Sequence, residues 1–129
     1  MEMLPVTMTM AAVMALLGTL MSALVSQRRW ATKVARGDGG DKLLGKRMRA
    51  FGNFAEYAPL AVVLVGLCEY AGLNKLFVGA LAAGFVLGRL FHAAGMLWRG
   101  TWIARGIGIL LQHGASVVAA LALLWRVWL

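Results

Sequence analysis

The sequence predicts an all-α membrane protein, a four-transmembrane-helix bundle, and three observations lead there. Of its 129 residues 61% are hydrophobic and only 14% charged. The mean hydropathy is +0.78, and the charges gather mainly in one stretch between apolar runs. Soluble domains average about 25% charged residues, so lipid is the solvent this composition suits. Crossing a bilayer core about 30 Å thick takes roughly 20 apolar residues in a helix. A chain of this length supplies about four such crossings, and residues 1–129 are read as one transmembrane domain with nothing left for a second.

The first span, about 3–26, is free of charge. Glu2 rather than a basic segment precedes it and no cleavage site follows, so it is expected to be retained rather than removed as a signal. Residues 27–49 then carry Arg28, Arg29, Lys33, Arg36, Lys42, Lys46, Arg47 and Arg49 against Asp38 and Asp41, and read as the one hydrophilic loop. Within it Gly37-Asp38-Gly39-Gly40 interrupts any helix, and Asp41 is placed to cap the next one. The second span is expected over about 42–68, with wet basic first turns. A short connection through Gly72 and Asn74 leads to the third span at about 76–98, and Arg99 to Ala104 leads to the fourth at about 105–125.

Lysine and arginine accumulate on cytoplasmic loops. That rule places residues 27–49 and the Arg99/Arg105 connection in the cytoplasm and both termini on the opposite side. The net charge of +8 lies beside apolar spans, which points to anionic headgroups or a small anionic ligand rather than nucleic acid. Cys68 is the single cysteine, so no intrachain disulfide forms and no cysteine cluster holds a metal. In the third span Ala80, Gly84 and Gly88 recur at helical spacing. Such rows let helix backbones approach closely in lipid, within the bundle or between copies.

Polar residues inside spans each need a partner or a task, because a charge at mid-bilayer costs about 2.5–3.5 kcal/mol on insertion scales. Arg49, Asn53, Glu56 and Tyr57 share one face of the second helix, beside Pro59, whose missing N–H is expected to free the carbonyl of Ala55 and kink the helix. Arg89, His92, Met96 and Arg99 share one face of the third. Arg89 is the expected counter-ion of Glu56, as a buried pair fixing register or as part of a site. Arginine forks take carboxylates and a glutamate takes an amine, so the two faces together suit a small zwitterion. Gln112 and His113 of the fourth span have no periodic partners and read as packing residues.

The run Arg49-Ala50-Phe51-Gly52-Asn53-Phe54-Ala55-Glu56-Tyr57-Ala58-Pro59 resembles the signature of the MAPEG family, membrane-associated proteins in eicosanoid and glutathione metabolism. The likeness extends to Gly88-Arg89-Leu90-Phe91-His92 and to Arg105, and so covers nearly the whole chain. The Gly37–Gly40 loop is similar to that of a short bacterial branch. The resemblance implies a homotrimer in the bacterial inner membrane with glutathione bound between subunits. It assigns glutathione binding to Arg49, Asn53, Glu56, Tyr57, Arg89 and His92, thiol activation to Arg105, and a carboxylate contact to Arg28 or Arg29. The implied activity is a glutathione transferase or peroxidase acting on hydrophobic small molecules, lipophilic electrophiles or lipid hydroperoxides. The chain departs from the pattern at Met96, where eicosanoid-synthesising members carry a tyrosine, at Phe51, where related enzymes can be polar, and at Gly106, where one relative has serine. Those departures leave room for a noncatalytic trimer that binds a lipid or a partner protein. An intramembrane Glu/Arg/His set also marks proton and ion paths, which makes a small transporter or channel the third option.

Overall fold

The computed structural model describes residues 3–98 and 102–128, and these form four helices: α1 (Pro5–Thr32), α2 (Lys42–Tyr70), α3 (Lys75–Leu97) and α4 (Trp102–Trp128). Glu2, Arg99 and Leu129 lie outside the described residues. All four helices are long and apolar enough to cross a membrane.

A helix start leaves its first N–H groups without intrahelical acceptors, and each cap here answers that locally. Asp41 accepts from the Leu44 N–H at 2.7 Å, as its position predicts. Asn74 accepts from the N–H groups of Leu76 and Phe77 at 2.9 and 3.2 Å. At α1 the preceding Leu4 offers no side-chain acceptor, and Pro5 occupies the first turn. Glu69, near the end of α2, does the capping instead: its carboxylate accepts from the N–H groups of Val6 and Thr7 at 3.0 and 2.8 Å and from the Thr7 hydroxyl at 2.6 Å. This ties the start of α1 to the α2–α3 turn.

Of residues 27–49, read as the hydrophilic loop, 27–32 prove helical, while the second helix starts at Lys42 as expected. Helix α1 continues to Thr32, α2 begins at Lys42, and only 33–41 lie outside both. Hydropathy marks where lipid ends, not where the helix ends, and nothing in Gln27–Thr32 breaks a helix. The break comes at Lys33, in the left-handed conformation (φ 56°), followed by Gly37, Gly39 and Gly40 at positive φ. Arg29 closes this connection by donating to the carbonyls of Val34, Ala35 and Gly37 at 3.3, 3.3 and 3.0 Å. Arg28 forks onto Asp41 at 3.1 and 2.7 Å, while Arg47 reaches back to the Leu24 carbonyl at 2.6 Å.

Helices α2 and α3 form the centre. Each touches both outer helices, whereas α1 and α4 do not meet among the described residues. The core between them gathers Met10, Met14, Phe54, Val65, Val78 and Phe85. The most extensive contact is α3 on α4, and glycines permit it. A Cβ on Gly108 would stand 2.5 Å from the His92 nitrogen and 2.7 Å from the Gly88 carbonyl, and one on Gly88 would stand 3.1 Å from the Gln112 nitrogen. Gly84 and Gly88 of the small-residue row thus face α4 within the subunit. The outer surface is apolar, with Leu16, Trp30, Leu76, Leu110, Leu121 and Trp125 among its exposed large side chains, as a lipid-facing surface requires.

Candidate functional site

Polar residues of α2, α3 and α4 meet at the level where all three helices pack. Arg89 is 3% exposed and His92 5%, held there because α3 is buried on its α4-facing side. The Arg89 guanidinium donates through Nη1 to the Asn53 side-chain oxygen at 2.7 Å and, more weakly, to the Asn53 carbonyl at 3.4 Å. It also stands over the Tyr57 ring, 5.3 Å from the centroid. Asn53 and Tyr57 are one turn apart on α2, so a single guanidinium engages both, one by a charge-assisted hydrogen bond and the other through the ring's negative face.

The expected Arg89–Glu56 pair does not form. Helical periodicity places residues on a face but does not say which neighbour that face meets: Asn53 and Tyr57 turn towards α3, whereas Glu56 is exposed on the outside of the bundle. The sole ion pair among the described residues is Arg28–Asp41. Glu56, Arg49 and Arg105 are all exposed and make no hydrogen bond or ion pair among the described residues. Arg105 emerges where α4 packs hardest on the C-terminal end of α3, since a Cβ on Gly95 would run into the Arg105 backbone. Arg28 and Arg29, the two expected carboxylate contacts, are instead engaged in the α1–α2 connection.

Sequence reasoning set His113 aside, yet the structure brings it to this cluster. Its ring lies 5.6 Å from that of Tyr57, at an interplanar angle of 58°. No periodicity within one helix could reveal a contact between α2 and α4; the available signal was only that an imidazole at membrane depth needs a reason. Behind it Gln112 is 2% exposed. Its side-chain oxygen, like the Arg89 Nε, has no hydrogen-bond partner among the described residues. This leaves one unused donor and one unused acceptor in the polar layer.

The arrangement is an apolar bundle with a polar seam along α2 and α4, floored by Arg89 and His92 of α3. Buried Arg89 makes the floor positive, while the outward Glu56 is negative and Arg49 and Arg105 are positive, a pattern that matches a ligand bearing charges of both signs. Met96, partly buried, supplies no hydroxyl. Gly106 leaves open space where a side chain could stand. No group of three or more His, Cys, Asp or Glu suited to a metal ion occurs among the described residues. A groove of about 960 Å³ runs between α1 and α2 past Gly18, Ser22, Phe51, Ala55 and Pro59. None of the polar candidates lines it. It is a hydrophobic furrow, distinct from the polar seam.

Two comparisons bear on this arrangement. The profile of the MAPEG family matches residues 7–125. The chain is also similar to the inner membrane protein YecN of Escherichia coli, in strain K12 and in strain O6:H1, at 34% identity over 115 residues, which is 89% of this chain and 87% of that protein.

Proposed function

This chain belongs to the MAPEG family, and on that premise we propose that it is a glutathione-dependent membrane enzyme, a transferase or peroxidase acting on lipophilic electrophiles or lipid hydroperoxides. The observation that carries the reading is the seam itself: Arg89 clamped to Asn53 and Tyr57, with Arg49, Glu56 and Arg105 exposed and uncommitted beside it. Structural ion pairs in a membrane protein satisfy one another inside the bundle. Three charges left unsatisfied at its surface call for a charged occupant or a second copy of the chain.

Glutathione offers two carboxylates, an ammonium and a thiol. Arg49 and Arg89 suit the carboxylates, Glu56 suits the ammonium, Asn53, Tyr57 and His92 complete the pocket, and Arg105 faces the thiol. A free thiol titrates near 8.5. A guanidinium that stabilises the thiolate by about 2.7 kcal/mol lowers that value by about two units and leaves most of the bound thiol ionised at neutral pH. The thiolate then forms a carbon–sulfur bond with an electrophile and expels its leaving group. With a hydroperoxide it attacks the O–O bond, releases the alcohol and becomes a sulfenic acid, which a second glutathione converts to the disulfide and water.

The same reading makes the protein a homotrimer, with three equivalent sites completed by neighbouring copies. It lies in the bacterial inner membrane, as the name of the Escherichia coli relative states for that protein. Residues 33–41 and Arg105 face the cytoplasm by the positive-inside rule, and both termini the other side. Met96 favours a second reading, a noncatalytic trimer whose seam holds a lipid or a partner protein.

An ultraviolet difference titration of the detergent-solubilised protein with glutathione separates the two. The enzyme reading expects a saturable thiolate band that Arg105→Ala abolishes while binding persists. No band in the folded wild-type protein would overturn it in favour of the noncatalytic trimer.

A further inference from the structure

We infer that His113 of α4 is a ligand-binding residue of the same seam, its Nε2 receiving, together with the Glu56 carboxylate, the primary ammonium of a zwitterionic ligand. The inference deepens the glutathione reading and rests on it.

The tautomer is fixed by the backbone. His113 Nδ1 lies 2.9 Å from the carbonyl oxygen of Ile109, and a carbonyl can only accept. The neutral ring therefore carries its proton on Nδ1 and presents a lone pair at Nε2. That lone pair has no partner among the described residues, and the side chain is exposed. Facing hydrocarbon, such an acceptor costs free energy with no return.

The ring is also held in place. It packs on Tyr57, whose own ring is held by Arg89, so the imidazole is set against α2 one residue from Glu56. The Nδ1 contact with Ile109 fixes its rotation about the helix. The exposed side of the seam at this height thus offers two acceptors, one of them negative. A primary ammonium, with three N–H donors and a positive charge, fits both acceptors at once. In glutathione that group is the amine of the γ-glutamyl residue.

The test is isothermal titration of the wild-type protein and His113→Phe with two peptides: glutathione, and glutaryl-cysteinyl-glycine, which is the same molecule without its amine. Phenylalanine keeps an aromatic ring against Tyr57 and removes Nε2. His113→Phe is expected to weaken glutathione about 10-fold, about 1.4 kcal/mol, and to leave the des-amino peptide within about twofold of wild type. Equal losses for both peptides would make His113 a packing residue and overturn the assignment, as would no loss for either. A wild-type protein that binds neither peptide overturns the glutathione reading and the role of His113 with it. If the phenylalanine variant does not fold, His113→Leu carries the same comparison.

Discussion

The α1–α2 connection and the α2–α4 seam are both rich in charge, yet they handle it in opposite ways. At the connection three arginines are committed to their own chain: Arg28 to Asp41, Arg29 to three carbonyls, Arg47 to Leu24 and Gln27, while Arg36 is exposed. In the seam, Arg49, Glu56, Arg105 and the Nε2 of His113 are exposed and have no partner among the described residues. A polar group in lipid that its own fold does not satisfy is stable only with an occupant. The first region therefore reads as architecture and the second, under the proposed function, as a receptor, even though arginine counts alone would favour the first.

The contrast breaks most completely if α4 is forced away from α3, because the seam exists only while α3 backs it. Gly108→Leu should do this, its side chain meeting the His92 backbone at the 2.5 Å position. Overpacking of this kind against backbone costs about 3 kcal/mol or more, and little monodisperse protein should survive detergent extraction and gel filtration. Glu56→Ala tests the receptor half directly. It should lower glutathione affinity at least about 10-fold, the scale of a lost charge-assisted hydrogen bond. The thermal midpoint should hardly move, since exposed Glu56 supports nothing inside the bundle; a collapse in stability with affinity intact would reverse the assignment. Glu69→Ala is the converse. Losing the α1 cap should cost about 1 kcal/mol, read as a lower thermal midpoint with the glutathione titration unchanged.

The smallest expected effect is the pH dependence that Asp41 contributes at the connection. Arg28 and the Leu44 N–H hold the Asp41 carboxyl down at about 2, from an ordinary value of 3.8. A depressed folded-state value means the carboxylate favours the fold. That contribution is fully present above about pH 3.8 and is lost as pH falls through about 2. The share of the thermal midpoint that Asp41 supplies should therefore be flat from neutrality to about pH 4 and decline below it. Arg28→Ala should soften that decline, while His113→Phe should leave it unchanged.

Much of this was legible in the sequence. The four apolar runs gave the helices because length and hydropathy are direct requirements of the bilayer, and Asp41 was legible as a cap from its place after the glycines. The helical reach of α1 to Thr32 was not, because charged residues end a membrane span without ending a helix. The shared faces of Arg49/Asn53/Glu56/Tyr57 and Arg89/His92 followed from the 3.6-residue repeat. The partner of Arg89 did not, since one residue of rotation decides whether Asn53 or Glu56 meets α3. His113 escaped for a related reason: its partner belongs to another helix, and so does the reciprocal role of Gly108 opposite Gly88.

The Glu69 clamp also has a consequence for the order of biogenesis. The residue that secures the start of α1 lies more than 60 positions further along the chain. When α1 first leaves the ribosome and enters the membrane, the N–H groups of Val6 and Thr7 have no carboxylate to receive them. At that stage water must take the place of the carboxylate. The α1 cap is complete only once α2 has threaded through and brought Glu69 to the same side.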